Sequence, residues 1–258
     1  MTDSEWTNRL LSTAEFFALA KVRLSLNTPE ALTNPQFIPR LDDDDANPEL
    51  IAAIAAMRPI RTAAVLVPII ARAEPTVLFT QRTAHLSDHA GEISFPGGKI
   101  DAADISPAAA ALREAEEEVS LDRRFVEPIG YLDVHITPSG YRILPVLARV
   151  HEGFSLHFNR GEVHDTFEAP LAFLMAPQNH RREKAEWNGL TTSVYAIPFN
   201  RTARRLVDIC GKRGIRSLRQ IYRASQETQR ERAGSRGRCG QAGRCALRYN
   251  SGARRATL

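Results

Sequence analysis

Glu114, Glu117 and Glu118 fall within two turns of one expected helix, Ser106–Val119, which follows the glycine segment Phe95-Pro96-Gly97-Gly98. Three carboxylates so close together repel one another unless a cation sits among them. A hard divalent ion takes oxygen ligands and shares them with substrate phosphates. The set therefore points to metal-assisted phosphate chemistry, with Mg²⁺ or Mn²⁺ as the expected cofactor. Gly97 and Gly98 would let the backbone come close to metal and phosphate, where a side chain would intrude. A solvated acidic helix face is the competing reading of the same three residues.

The element that must carry these groups is well marked. Ser106 suits the N-cap, because its hydroxyl can accept a first-turn N–H. Pro107 suits the first helical position, and the run Ala108–Ala111 favours helix. At about 100° per residue, Ala108, Leu112, Ala115 and Val119 form an apolar stripe, with the three glutamates on the other side. The inner face is expected to pack on a sheet while the acidic edge borders a site.

The longer run reads Gly98-Lys99-Ile100-Asp101, Asp104, then Arg113-Glu114-Ala115-Glu116-Glu117-Glu118-Val119-Ser120-Leu121. It resembles the box of the Nudix hydrolases, with its Arg-Glu and Glu-Glu pairs intact. Asp104 stands where a glutamate is usual, and Gly98 to Arg113 is one residue longer than the general pattern. Ser120 replaces a final glycine, at little cost provided the helix ends without a left-handed residue. Upstream, Leu78-Phe79-Thr80-Gln81-Arg82-Thr83 leading to Gly91 and Phe95-Pro96-Gly97-Gly98 resembles the added signature of the coenzyme A pyrophosphatases. That subfamily also carries the longer box. Ser87 occupies the place of a family arginine. Ser139-Gly140-Tyr141 with Pro145, and Asn159 to Glu162-Val163 with Phe167-Glu168-Ala169-Pro170-Leu171, add to the likeness, which spans about residues 58–199.

The resemblance implies an α/β fold, the Nudix α/β/α sandwich with a mixed β-sheet. It also implies hydrolysis of a diphosphate bond. Glu114 and Glu118, one turn apart, would be the best metal-ligand pair, with Glu117 as a third ligand or a base. The metal would offset charge on the phosphate oxygens and help generate a hydroxide-like nucleophile. Glu162 lies where some members keep the glutamate that orients the attacking water, and Glu117 is its rival. Arg113 belongs to the catalytic box, and its favoured role is fixing the box loop. Beside Gly97 and Gly98, Lys99 reads either as a phosphate contact or as a solvated lysine, and Arg82 and His89 are weaker phosphate candidates for which service to the local turn is the favoured reading. The implied substrate is the coenzyme A class of nucleotide, giving adenosine 3′,5′-bisphosphate and 4′-phosphopantetheine. A broader nucleoside-diphosphate hydrolase, acting on ADP-ribose or NADH, is the first alternative. A non-catalytic regulatory module whose basic tail binds nucleic acid is the second, and the intact glutamate set argues against it.

Apolar, β-branched runs at Thr62–Ile70 and Thr76–Thr80 flank the breaker Arg72–Pro75, a strand–turn–strand pattern. Pro68 within the first run suggests an edge position or a bulge. Phe125–Val134 and Tyr141–Val150 are further strands, with Thr137–Gly140 as their turn. Residues 1–57 read as a helical extension, in which Glu5–Leu24 places Trp6, Leu10 and Leu11 on one face. Residues 58–199 read as the hydrolase domain. Asp42–Asp45 is a solvated loop rather than a calcium site, for it lacks a glycine turn at loop spacing.

The 258 residues are 43% hydrophobic and carry a net charge of +4, which is ordinary for a globular protein. No run reaches the roughly 18 apolar residues of a membrane span. Met1–Trp6 has no basic-then-apolar order, so a secretory signal is not expected and a cytoplasmic enzyme is. The charge is segregated. From Arg201 onward there are 16 basic and 3 acidic residues, leaving 18 basic and 27 acidic before it. An acidic body that takes an acidic substrate is a further reason to expect bridging metal. Residues 200–258 read as a basic tail, disordered or aberrant, because Arg223–Leu258 has too few large apolar residues to form a core. A reading-frame disruption or divergent end, a disordered appendage and a nucleic-acid-binding tail stay open there, in that order. Nucleic acid is thus not an expected partner. Ile215, Leu218 and Ile221/Tyr222 recur at helical spacing. If that helix fails to cover the sheet, exposed apolar surface would favour aggregation or a homodimer. Cys210, Cys239 and Cys245 lack a zinc-like spacing.

Overall fold

A computed structural model describes residues 12–37, 59–85, 90–137, 140–187, 190–199 and 204–207, together with Leu218 and Ile221. The expectations for Trp6, Leu10, Leu11, Asp42–Asp45, Ser87, His89 and the three cysteines lie outside the described residues.

Eight strands form one mixed sheet. β1 (Arg61–Ile70) is its middle, pairing in parallel with β7 (Tyr141–Val150) along its whole length. On its far edge β7 pairs antiparallel with β5 (Val126–Tyr131) and β6 (His135–Ile136). On the other side, β1 meets β2 (Thr76–Arg82) only at the turn end, through Ile69↔Val77 and Ile70↔Thr76. The two strands then diverge. The segment 93–99 fills the gap, with β3 (Ile93–Ser94) on β2 and β4 (Gly97–Lys99) on β1. β8 (Val163–Pro170) closes the sheet against β2.

The alternation of β1 explains the layers, because successive side chains point to opposite faces. Val67 and Ile69 join one core with Phe16, Phe17 and Ala20 of helix α1 (Thr13–Arg23) and with Leu171 and Leu174 of α3 (Leu171–Met175). Ala64, Leu66 and Ile70 join the other with Ala108, Ala111, Ala115 and Val119 of α2 (Pro107–Val119). Helices on both faces of a mixed sheet make the expected α/β/α sandwich.

Pro68 is neither at an edge nor in a bulge. It lies in the central strand, buried and paired in register with Ala148. Its position resolves the conflict. Leu66 N–H, two residues earlier, donates to Pro96 O at 2.8 Å on the β4 side, and Ile70, two residues later, already meets β2. Pro68 falls where one neighbour ends and the next begins, so the missing N–H has no ladder bond to break.

The expected strand Phe125–Val134 is shorter than its apolar run. Arg123–Phe125 forms a 3₁₀ turn capped by Asp122, and the pairing of β5 shifts register between Pro128 and Gly130. A second sheet of β9 (Arg181–Trp187), β10 (Leu190–Phe199) and β11 (Arg204–Val207) follows. β11 therefore carries pairing past residue 199, where the sequence reading ended the domain. Leu218 and Ile221 are helical and lie in the α1-side core. No helix among the described residues is long and apolar enough to cross a membrane.

Candidate active site

Helix α2 begins as its sequence indicates, with Ser106 Oγ accepting from Ala109 N–H at 3.1 Å and Pro107 in the first turn. It ends differently. Ser120 adopts a left-handed conformation, φ 54° and ψ 32°, while its N–H returns to the Ala115 and Glu116 carbonyls. The glycine replaced here is therefore missed, since a side chain in that region costs about 1–2 kcal/mol.

The three glutamates do not share one exposed ridge. Glu118 is buried, 4% exposed, whereas the Glu114 side chain is 17% and that of Glu117 57% exposed. Ala111 is the reason. It is fully buried and lies about 20° from Glu118 around the helix, so the buried arc turns toward Glu118 and leaves Leu112 half-buried at its margin.

Both inner carboxylates sit against the glycine segment. Gly97 N–H donates to Glu118 Oε2 at 3.2 Å. A Cβ on Gly98 would stand 2.5 Å from the Glu114 carboxylate, so only glycine leaves that group its place. Gly97 has φ +154°, and a Cβ there would meet Ala64 O at 2.5 Å on β1. The segment is anchored from behind by Phe95, which stacks on Phe79 at 5.0 Å. Phe79 stacks on Phe167, and Phe167 on Phe199 of β10.

Arg113 is consumed by the box itself. Its Nε and Nη2 hold Asp104 bidentately at 3.1 and 3.0 Å, and Nη2 also donates to Lys99 O at 3.1 Å. Nη1 donates to Glu114 at 3.0 Å and to Glu117 at 3.2 Å. This supports the loop-fixing role over a substrate contact. Asp104 answers in kind: hydrogen bonding from Arg113 holds its carboxyl below the usual range. A fork-shaped cation satisfied at every nitrogen is a structural clamp.

Glu162 and Arg82 come to the same place from the strands. Glu162 precedes β8, and its carbonyl accepts from Thr83 N–H at 3.0 Å. It lies within electrostatic reach of both Glu114 and Glu118. Arg82, at the end of β2, pairs with Val163 and faces Glu118. Its Nε is buried and has no hydrogen-bond partner among the described residues. Lys99 contributes its carbonyl to Arg113, and its side chain is exposed.

The electrostatics register the crowding. Burial pushes Glu118 up to about 8, opposed by the Gly97 amide and Arg82 and reinforced by Glu114 and Glu162. Burial also raises Glu114, against the hydrogen bond from Arg113. These are acids held under an excess of negative charge, the condition that a cation relieves. Among the described residues, no three His, Cys, Asp or Glu side chains converge as a cage. Glu117 and one oxygen of Glu114 point instead to Arg113.

A family model described as the NUDIX domain matches residues 60–194. The chain belongs to the Nudix family. Among its relatives, the Nudix hydrolase NudL of Escherichia fergusonii, itself described as uncharacterized, is 47% identical over 112 residues, 43% of this chain and 58% of that protein. NudL of Photorhabdus laumondii subsp. laumondii is 41% identical over 135 residues, covering 52% of this chain and 72% of that one. The chain thus spans little more than half of the first of these relatives. Among solved Nudix structures, a Caenorhabditis elegans Ap4A hydrolase binary complex is 20% identical, covers 42% of this chain and 80% of that one, and has a TM-score of 0.37. The Nudix domain of Shewanella oneidensis NrtR, complexed with ADP ribose, is 21% identical over 49% of this chain and 84% of that one, with a TM-score of 0.36.

Two contributors escaped the sequence reading. Asp104 was noted as a departure from the box but not as the partner of Arg113. Asn159 was noted only as the start of a segment, although Asn-x-Gly is a turn signal in which an amide side chain caps the backbone ahead of it.

Proposed function

We propose that this Nudix chain is a divalent-metal-dependent pyrophosphohydrolase acting on coenzyme A or its derivatives. The observation that carries the reaction class is the placement of two inner carboxylates, Glu114 and Glu118, on a glycine backbone that excludes any side chain. The donor set suits a hard cation: carboxylate oxygens, no competing soft ligand among the described residues, and an excess of negative charge. Glu114 and Glu118 would hold the ion, with Glu117, held by Arg113 at 3.2 Å, as a third ligand or a base. What a divalent ion supplies when bound is neutralisation of charge on the diphosphate and a water of lowered pKa.

The chain's own groups do the rest. The buried Arg82 Nε–H has a donor to give to a phosphoryl oxygen, and Lys99 offers an exposed side chain at the end of β4. Glu162 orients the attacking water and takes its proton. Arg113 keeps the glutamates at the spacing the reaction needs. Support for coenzyme A comes from the Leu78–Thr83 and Phe95–Gly98 signature, which surrounds Arg82 and the glycines. The products would be adenosine 3′,5′-bisphosphate and 4′-phosphopantetheine.

The test compares coenzyme A, ADP-ribose and NADH at equal concentration, with Mg²⁺ and with Mn²⁺. Preference for coenzyme A of about tenfold or more in kcat/KM supports the reading. Faster turnover of ADP-ribose or NADH would replace it with the broader hydrolase, and no turnover of any would remove the enzymatic reading.

A further inference from the structure

We propose that Asn159 is a positioning residue, aiming the Glu162 carboxylate at the site from the end of helix α2. The inference rests on the reading of Glu162 as the base.

Asn159 ties together the two elements whose relation fixes that aim. Its N–H donates to Glu118 O at 2.9 Å, and His157 N–H donates to Val119 O at 3.1 Å, so the strand-like run 157–159 is fastened to the last residues of α2. Its carbonyl accepts from Glu162 N–H at 2.9 Å and from Val163 N–H at 2.8 Å, folding the chain back on itself. The turn is braced from β2 as well, by Thr83 N–H on Glu162 O and Thr83 Oγ on Gly161 O. The backbone of Glu162 is therefore held at a fixed distance from the Glu118 end of the helix.

The side chain completes the arrangement. Asn159 Oδ1 accepts from Gly161 N–H at 3.1 Å, and Nδ2 donates to Glu162 Oε1 at 3.3 Å. The amide can sit only one way round, because a flip would set its oxygen against a carboxylate and its NH₂ against an N–H. An N–H on Oε1 leaves Oε2 to meet a water. It also selects one rotamer of a side chain that otherwise explores several. No other residue type does both jobs. Aspartate keeps the acceptor that closes the turn but loses the donor, and it adds repulsion against Glu162. Alanine loses both.

That difference supplies the experiment, done on the full chain with Mg²⁺ and whichever of coenzyme A, ADP-ribose and NADH turns over. Asn159→Asp is expected to lower kcat by about 10- to 100-fold with KM within about twofold and an unchanged melting temperature. Asn159→Ala should lose as much kcat and melt earlier. In a Glu162→Gln background, adding Asn159→Asp should change kcat by less than about twofold, because the two act as one unit. Wild-type kcat in Asn159→Asp, with Glu162→Gln impaired, would overturn this inference alone. So would an Asn159→Asp loss that persists undiminished in the Glu162→Gln background. Wild-type kcat in Glu162→Gln itself would remove the base reading and this inference with it.

Discussion

Gly97 and Gly98 are neighbours that should fail in opposite ways when each becomes alanine. At Gly98 the new Cβ lands 2.5 Å from the Glu114 carboxylate, the far end of a flexible side chain. Rotation of Glu114 relieves that overlap, forfeiting its charged bond to Arg113, a loss of about 1.5–3 kcal/mol. Reduced freedom of the unfolded chain returns about 0.4–1 kcal/mol. Stability should thus fall by about 0.5–2.6 kcal/mol, or roughly 1–10 °C in Tm for a chain of this size. Activity should fall about 100-fold, because Glu114, the proposed metal ligand, is displaced by about an ångström. At Gly97 the new Cβ meets backbone, Ala64 O at 2.5 Å and Val65 Cα at 2.6 Å, at a φ of +154°. Neither atom can turn aside, so β4 must slide off β1. Left-handed strain of about 1–2 kcal/mol adds to overpacking of about 1–3 kcal/mol. Thermal unfolding followed by circular dichroism, beside Mg²⁺-dependent hydrolysis, separates the two failures. A Gly98→Ala protein with unimpaired kcat/KM, or a Gly97→Ala protein melting with the parent, would refute this account of the segment.

Three further outcomes follow from the site. Glu118, raised to about 8 from 4.5, is protonated at pH 7 before metal arrives. Metal binding there should release close to one proton per site, read by calorimetry in buffers of different ionisation enthalpy, and release should vanish above about pH 9 and in Glu118→Gln. By the same sign, the contribution of Glu118 to metal-free stability is complete below pH 4.5 and declines as pH rises through about 8. Ser120→Gly should stabilise the fold by about 1 kcal/mol in urea unfolding, by removing the left-handed penalty at φ 54°. Arg113→Lys should cost about 1.5–3 kcal/mol, since an ammonium cannot reproduce the fork on Asp104. Asp104 is held below 3.8 in the parent, so that pair's contribution is present above pH 3.8 and lost as pH falls through the lowered value; Arg113→Lys should flatten this acid limb.

The helix, its cap and the strands β1, β2 and β7 were readable because local chemistry and period agree with the fold there. Tyr141–Val150 matches its expected strand end to end. Where the reading slipped, a tertiary neighbour decided the matter. Pro68 looked like an edge residue because the switch from β4 to β2 beside it leaves no trace in its own strand. Glu118 looked exposed because its burial depends on how Ala111 seats the helix. The left-handed turn at Ser120 closes on the helix itself, with Leu121 N–H returning to Ala115 O at 3.3 Å, a closure usually marked by the glycine that is absent here. Arg113 as a clamp was legible from the box, whereas its partners were not, since Lys99 and Asp104 are brought to it only by the path of the intervening loop.

The way β1 and β2 part carries a consequence for substrate entry. Gly97 and Gly98 are not on a flap; they belong to β4, paired to β1 and roofed by α2. The Gly98 amide, paired with β1 opposite Ala64, should exchange with deuterium more slowly than that of Gly97, whose N–H is held by the Glu118 side chain. On the proposed reading, a diphosphate bound there meets a floor fixed by strand pairing.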